Sequence, residues 1–254
     1  MSMDLKKEGD VKDYIERLGV EYRFGCYSEK KPEVCHLLGD YMEGIKKDFE
    51  KASKVYRSNC DDYGYAKSCL KFGNYSFLGK GRATTNEKGD SLQAFKYYEK
   101  GCGLSDPDCC LHSGLIMVSK SMSKEVQRDV AKGFDFLTKS CKMDNGTACF
   151  YLSGMHISGV LKNEQKTNKD SKEVVPASEF VIKKDMKKAF DFAYRACELN
   201  NIYACANLSQ MYQRGDGVEK NESKAEQYKK KAIEMQDEVK KQHAQLEFQQ
   251  GLKN

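Results

Sequence analysis

The sequence has no tryptophan, only three prolines and no long apolar segment. No stretch approaches the ~18 consecutive apolar residues of a membrane-spanning helix, so we expect no membrane span. Hydrophobic residues make up 39% of the 254 residues, which is below the ~45–50% of an ordinary globular chain. The net charge of +5 is small and mixed in sign along the chain. These charges argue against nucleic-acid binding, and with so few prolines they also argue against disorder.

The N-terminal residues lack the apolar core of a secretory signal. Residues 1–9 carry four charged side chains, and they do not form the Arg-rich, acid-poor segment of a mitochondrial transit peptide. The sequence therefore predicts no cleavable targeting segment. This prediction conflicts with the eleven cysteines, because disulfides normally mark compartments that proteins reach through a signal peptide.

The cysteines follow a regular pattern. Ten of the eleven form pairs separated by 9, 9, 8, 8 and 8 residues, and these are Cys26 with Cys35, Cys60 with Cys69, Cys102 with Cys110, Cys141 with Cys149, and Cys197 with Cys205. The second members of successive pairs are 34, 41, 39 and 56 residues apart. A period of about 35–40 residues is typical of a helical repeat array. Cys109 is left outside the pairs.

Other residues recur in step with the cysteines. A small residue follows each second cysteine by four positions, as at Gly39, Gly73, Gly114, Ser153 and Ser209. Spacings of three, four and eight are helical, and small residues allow two helices to approach closely. Each repeat therefore consists of a helix A that begins near a second cysteine and a helix B that ends near the next first cysteine. The predicted N-caps of the B helices are Asp48, Asp90, Asp129 and Asp185.

These patterns predict an all-α fold of about five helix pairs in a single domain, residues 1–254. The repeats are expected at 34–68, 69–109, 110–148, 149–204 and 205–240, with a surface insertion at 161–182 and a tail at 241–254. The final helix is expected to lack a disulfide, because Ile233 stands where the next cysteine is due.

The spacing within each pair favours disulfides. Two residues eight apart in one helix would be about 12 Å apart along its axis, whereas a disulfide needs Cα atoms roughly 4.4–6.8 Å apart. Every interval contains turn residues, among them Pro32, Gly64 and Asn201, so the chain reverses and brings the two cysteines together. The alternatives are buried free thiols and a metal or redox site, although no two-residue cysteine spacing supports zinc.

Several segments resemble the Sel-1-like repeat, a relative of the tetratricopeptide repeat. They include residues 188–197, 204–212 and 215–218. That resemblance implies a right-handed α/α superhelix, and the disulfide-linked form is similar to bacterial cysteine-rich repeat proteins. Nearly the whole chain, including residues 26–30 and 38–45, resembles the mitochondrial cytochrome c oxidase assembly factor 7 family.

The resemblance implies a soluble protein of the mitochondrial intermembrane space that is required for the biogenesis of respiratory complex IV. Proteins of that compartment can lack a presequence and be trapped by an oxidative import relay that acts on cysteine pairs, which resolves the conflict noted above. We expect a monomeric, non-enzymatic scaffold, because no nucleophile motif or paired carboxylates stand out. Its expected partners are complex IV subunits or other assembly factors.

Cys109 is the sharpest candidate for a redox or ligand site. Its thiol could exchange with a nearby disulfide, or bind haem or copper together with His112, His36 or His156. Further soft ligands on the A helices are Met42, Met117, Met155 and Met211. The simpler interpretation is a spare thiol among packing residues. The alternative function is therefore a thiol–disulfide or haem- and copper-handling protein that uses Cys109 and a labile pair. A secreted, hydrolase-like repeat protein is disfavoured by the missing signal peptide.

Overall fold

The computed structural model describes residues 7–81, 88–119, 125–162 and 180–249, which contain eleven α-helices and two short strands. The elements, in chain order, are α1 (Glu8–Tyr27), α2 (Pro32–Gly44), α3 (Phe49–Tyr63), α4 (Ala66–Leu78), α5 (Ser91–Gly103), α6 (Pro107–Val118), α7 (Val130–Lys142), α8 (Gly146–Ser158), β1 (Val160–Leu161), β2 (Phe180–Ile182), α9 (Met186–Glu198), α10 (Ile202–Arg214) and α11 (Glu222–Gln249). The chain divides into two compact units, residues 1–128 and 129–254. The single domain and the repeat bounds expected from the sequence stay predictions.

Polar side chains fix where most of the helices begin. Each of the four aspartates expected to cap a B helix accepts a hydrogen bond from the backbone N–H three residues later, at 2.8–3.0 Å. The same contact begins α6, α8, α10 and α11, where the capping residues are Asp106, Asn145, Asn201 and Asn221. Such a cap satisfies one of the N–H groups that the first turn of a helix leaves unpaired. The predicted caps are therefore confirmed, and the structure adds four more.

Five disulfides link successive helices at their ends, with Cα atoms 4.5–4.9 Å apart. They join Cys26 to Cys35, Cys60 to Cys69, Cys102 to Cys110, Cys141 to Cys149, and Cys197 to Cys205. These are the pairs that the sequence spacing indicates, so the predicted disulfide links are confirmed.

Each of these reversals contains one residue with positive φ, and these residues are Lys30, Gly64, Ser105, Asp144 and Asn200. This residue lies four positions after the first cysteine in the nine-spaced pairs and three positions after it in the eight-spaced pairs. The nine-spaced pairs thus have their extra residue between the first cysteine and the residue with positive φ. From that residue to the second cysteine the distance is five positions in all five reversals.

In the first unit, glycines on the A helices lie under tyrosine rings of the B helices. A Cβ atom placed on Gly39 of α2 would lie 2.3 Å from the ring of Tyr56 on α3. The same atom on Gly73 of α4 would lie 2.5 Å from the ring of Tyr98 on α5. Both tyrosines are at most 2% exposed. At these two positions only glycine leaves room for the ring.

In the second unit, serines replace these glycines and hydrogen bonds replace the ring contacts. The hydroxyl of Ser153 on α8 donates to the backbone carbonyl of Ala189 on α9 at 2.7 Å. Ser209 on α10 donates in the same way to the carbonyl of Ala225 on α11 at 2.8 Å. The close approach expected at the small residues is therefore present in both units, with different chemistry.

The two strands were not expected from the sequence. β1 pairs with β2 in antiparallel orientation, with Val160 opposite Ile182. One strand therefore lies at each end of the insertion expected at 161–182, and the pair joins those two ends. Residues 163–179 of the insertion lie outside the described residues. Strands of two and three residues are too short for an alternating pattern to reveal them. The predicted class, an all-α repeat fold linked by disulfides, is confirmed.

The first and the last helix that the structure describes are both B-type helices. α1 precedes the first expected repeat and, like α3, α5, α7 and α9, ends one to three residues after the first cysteine of a pair, here Cys26. Its buried residues include Gly19, where a Cβ atom would meet the ring of Tyr41 on α2 at 2.6 Å. At the other end, α11 continues through the expected start of the tail to Gln249. Ile233, which takes the place of a cysteine, is 49% exposed.

Candidate functional site

The ten paired cysteines are structural links inside the two units. Each is at most 5% exposed, and these residues are Cys26, Cys35, Cys60, Cys69, Cys102, Cys110, Cys141, Cys149, Cys197 and Cys205. A thiol–disulfide exchange needs an attacking thiolate to reach one of the two sulfurs. Such burial leaves little access for an attacking thiolate, so the labile pair required by the redox alternative has no support at any of the five links.

Cys109 lies in the interior of the first unit. The residue is 0% exposed and is the one free cysteine of the chain. Its Sγ atom is 3.9 Å from the backbone oxygen of Ala66, and a Cβ atom on Gly101 would lie 2.3 Å from that sulfur. Burial raises the pKa of the Cys109 thiol, and the neighbouring carboxylates of Asp106 and Asp108 raise it further. Since the thiolate is the reactive form of cysteine, this environment disfavours thiol chemistry in the folded state.

The thiol of Cys109 should therefore be unreactive in the native protein. We expect no measurable reaction with a chromogenic disulfide reagent at neutral pH, and reaction of one thiol after unfolding in guanidinium chloride, because burial both shields the sulfur and disfavours its anion. The measurement is the absorbance of the released thiolate over time. Cys109→Ala should release none in either state. Rapid reaction of one thiol in the native protein would contradict this and favour the redox hypothesis.

The three candidate histidines occupy separate places. His112 stacks on Tyr98 with ring centroids 4.9 Å apart, and burial lowers its pKa. The Nδ1 atom of His36 is 2.9 Å from the hydroxyl of Ser68. In the second unit, His156 is 6% exposed and stacks on Phe192, with ring centroids 5.7 Å apart. Each ring is thus held by packing or by a hydrogen bond.

These histidines do not converge on a site that fits a metal ion. Among the residues that the structure describes, no three or more His, Cys, Asp and Glu side chains lie close enough together to hold one. His112 instead lines a cavity of about 280 Å³ together with Asn74, Phe77, Leu78, Tyr98, Leu115 and Ile116. The assignment of Cys109, His112, His36 and His156 to haem or copper stays a prediction.

A cluster of ionic and polar groups joins α2, α3 and α4. The hydroxyl of Tyr56 donates to Asp40 at 2.6 Å. The ammonium of Lys71 is 2.9 Å from Glu43 and 3.2 Å from Asp40, and the ammonium of Lys80 is 3.1 Å from Glu43. Partial burial acts to raise the pKa of Glu43, but hydrogen bonds from Lys71 and Lys80 outweigh it and lower the pKa to about 2. Sequence reasoning missed this cluster, because its ion pairs join Glu43 to lysines 28 and 37 residues later in the chain.

Glu43 should make stability depend on pH. Its pKa of about 2 in the folded state lies below the ordinary 4.5, so the carboxylate stabilises the fold fully above pH 4.5 and loses that contribution as the pH falls towards 2. We expect Glu43→Gln to lower the free energy of unfolding by about 1–2 kcal/mol at pH 7. The difference from the wild type should shrink steadily below pH 4.5. Urea titrations at several pH values measure it.

The matched control is Glu33→Gln on the same helix, where the side chain is exposed. This variant should lose at most about 0.3–1 kcal/mol, because the only favourable contact of Glu33 within the described residues is with the dipole at the first turn of α2. A loss of stability in Glu43→Gln that stays constant down to pH 2 would contradict an ionic role for Glu43.

The last helix pair of the second unit carries a groove. The groove lies between α10 and α11 and has a volume of about 710 Å³. Small residues line it, including Ala206, Ser209 and Ala225, while Tyr203 beside them is 71% exposed. A groove of this kind, apolar in part and lined by small side chains, can accept side chains from another polypeptide.

None of the helices in the described part of the chain is both long and apolar enough to cross a membrane. The sequence profile of the Sel1 repeat family matches five segments, residues 32–52, 66–106, 111–145, 179–201 and 202–237. The chain is 66% identical to the cytochrome c oxidase assembly factor 7 homolog of Drosophila melanogaster, over 99% of this chain and 98% of that protein.

More distant relatives carry the same name. The chain is 35% identical to cytochrome c oxidase assembly factor 7 of Homo sapiens, over 97% of this chain and 98% of that protein. It is also 35% identical to the Xenopus tropicalis protein, over 97% of each chain.

Among solved structures, c5321, a protective antigen of uropathogenic Escherichia coli with an SLR fold, matches 86% of this chain and 40% of its own length with a TM-score of 0.66 at 19% identity. A Sel1 repeat protein from Oxalobacter formigenes matches 87% of this chain and 84% of its own length with a TM-score of 0.63 at 18% identity. These two likenesses concern the fold alone.

Proposed function

Because the chain belongs to the Sel1 repeat family and, within it, to the cytochrome c oxidase assembly factor 7 family, we propose that it is a protein-binding scaffold in the assembly of respiratory complex IV. The observation that carries the proposal is the 66% identity to the Drosophila melanogaster homolog over 99% of the chain. The groove between α10 and α11 supports a binding role. The partners under this proposal are complex IV subunits or other assembly factors, and the scaffold acts as a monomer.

We place the protein in the mitochondrial intermembrane space. Five disulfides support this location, because structural disulfides form and persist in oxidising compartments. The proposed route of entry is the oxidative import relay acting on the cysteine pairs. The thiol–disulfide or haem- and copper-handling alternative takes second place, since Cys109 is 0% exposed.

Depletion and rescue test the proposal. Cells that lack the protein should contain less assembled complex IV on native gels and show lower cytochrome c oxidase activity, and the wild-type chain should restore both. The amount of complex III is the internal control. Unchanged complex IV in depleted cells would overturn the assembly role.

Protease protection tests the proposed location. Protease added to mitochondria should digest the protein only after the outer mitochondrial membrane is ruptured. Digestion in intact mitochondria, or resistance in ruptured ones, would overturn the placement.

A further inference from the structure

Three large apolar side chains form an exposed stripe along α1. Val20, Phe24 and Tyr27 are 58%, 59% and 62% exposed. Their spacing of four and then three residues places them on one face of the helix. The face that packs against the rest of the unit is a different one, since Gly19, Gly25 and Cys26 are the buried residues of α1. The stripe therefore contributes nothing to the core of the first unit.

The other B helices carry no large apolar side chain in the same register. The three stripe residues lie six and two positions before the first cysteine and one position after it. The equivalent residues are Lys54, Ser58 and Asp61 in α3, Lys96, Lys100 and Gly103 in α5, Asp135, Lys139 and Lys142 in α7, and Asp191, Arg195 and Glu198 in α9. α11 has Gln227, Lys231 and Glu234 when it is aligned at Ile233. The repeat fold thus accepts charged residues at these places and has no need of apolar ones.

Charged residues flank the stripe on both sides. At 100° per residue, Arg23 and Glu16 lie on one side of it, and Arg17 and Glu21 lie on the other. None of these four side chains forms an ion pair with another residue in the described ranges. An apolar seam with a 4,3 spacing and flanking charges of both signs is the pattern with which one helix packs against another.

Two other occupants fit less well. Interfacial membrane helices are rich in Lys and Arg, whereas α1 has five acidic and three basic residues, a net charge of −2. A second copy of the chain would place a two-fold axis at the middle of the stripe, between residues 23 and 24. For antiparallel helices, that axis would bring the two copies of Arg23 together. For parallel helices, the axis would run along the seam and bring together the two copies of Arg17, three residues before Val20. Like charges at an interface repel. The charges therefore favour a different polypeptide.

We infer that the stripe of Val20, Phe24 and Tyr27 is the docking site for an amphipathic helix of a partner protein. The apolar side chains of that helix pack on the stripe, and its flanking residues carry both signs of charge, acidic ones opposite Arg17 and Arg23 and basic ones opposite Glu16 and Glu21. The inference rests on the proposed scaffold function and assigns a surface to it. Tyr and Arg, both present here, are enriched among the few residues that carry most of the binding free energy in protein interfaces.

Crosslinking tests the inference directly. A photoreactive phenylalanine analogue is placed at residue 24, and in a matched control at residue 58, the equivalent place on α3. Irradiation of intact mitochondria should crosslink only the chain labelled at 24 to another protein, in a segment with amphipathic helical periodicity and flanking charges of both signs. Crosslinks only to a second copy or to lipid, or equal crosslinking from both places, would overturn the inference.

The affinity for a peptide of the crosslinked segment measures how much the stripe contributes to binding. The triple variant V20K/F24S/Y27D gives α1 the residues of α3, so it should fold with an unchanged circular dichroism spectrum and melting temperature. Its affinity for a fluorescent peptide of the segment should fall about 30-fold or more, as expected when a hot-spot cluster is removed. The control L78S/L92S, which removes two other exposed leucines of the first unit, should bind like the wild type. Equal affinity of the triple variant would overturn the inference.

Rescue of depleted cells separates this inference from the proposed function. Under the inference, wild type and L78S/L92S restore complex IV and the triple variant does not. If wild type and triple variant restore it equally, the stripe is not the docking site, while the assembly role stands. If depletion leaves complex IV unchanged, the proposed function fails, and the crosslinking and peptide results decide the docking site by themselves. A triple variant that sediments with cardiolipin-containing phosphatidylcholine vesicles less than wild type would overturn the helix in favour of a membrane.

Discussion

Replacing both Cys60 and Cys69 with alanine should lower the free energy of unfolding of the first unit by about 2.5 kcal/mol. The disulfide between them joins the last turn of α3 to the first turn of α4. On the loop-entropy model, opening a loop of this length returns about that much conformational entropy to the unfolded chain. Both cysteines are 0% exposed, so the alanines also lose packing contacts and the loss cannot be much smaller.

The measurement is chemical unfolding followed by circular dichroism, because the chain has no tryptophan. Hydrogen exchange by mass spectrometry shows where the loss occurs. The matched control is C197A/C205A, which opens the disulfide between Cys197 and Cys205 in the second unit. Each variant should accelerate exchange in its own unit. A change of less than about 0.5 kcal/mol in C60A/C69A would contradict the stabilising role assigned to the disulfide.

Gly39→Ala should destabilise the first unit by about 2 kcal/mol, although alanine favours helices by about 1 kcal/mol over glycine. The added Cβ atom would lie 2.3 Å from the ring of Tyr56. That ring has little freedom to move away, because Tyr56 is 0% exposed and its hydroxyl donates a hydrogen bond to Asp40. The steric cost therefore exceeds the gain in helix propensity. Urea unfolding at neutral pH measures the net effect.

Two controls isolate the contact with the ring. Gly44→Ala on the same helix meets nothing within 4 Å, so it should be neutral or slightly stabilising. In a Tyr56→Ala background, where the ring is absent, Gly39→Ala should cost little or become favourable, and the double-mutant cycle then gives the coupling between the two residues. An equal cost in both backgrounds would show that the clash lies elsewhere.

The repeat and its disulfides could be predicted from the sequence because they depend on local spacing. Three features act within one or two turns of chain: the spacing of eight or nine residues between cysteines, the turn residues in every interval, and the aspartate before four of the B helices. Asp48, for example, accepts a hydrogen bond from the N–H of Lys51 only three residues away. Cys141 forms its disulfide with Cys149 across a single chain reversal. Local rules of this kind hold whatever the tertiary surroundings are.

The environment of single side chains could not be predicted in the same way. The sequence identified Cys109 as unpaired, but the contact of its sulfur with Ala66 spans 43 residues. The ionic cluster around Glu43 likewise needs Lys71 and Lys80 from a later repeat. The apolar residues of α1 are visible in the sequence, but only the structure distinguishes the exposed Phe24 from the buried Gly25 beside it. Long-range packing decides such details.

The short span of every disulfide has a consequence for oxidative folding. No disulfide joins cysteines more than nine residues apart, so each correct partner lies close by in the chain, and short loops close rapidly with little loss of entropy. A chain that enters an oxidising compartment from its N-terminus can complete each disulfide before the next pair arrives. One incorrect disulfide would close a loop of nearly the same length, namely Cys102 with Cys109, which directly precedes the correct partner Cys110. Once the helices have packed, the Cys109 sulfur is buried against Gly101 and Ala66, so its thiol no longer competes with Cys110 for Cys102.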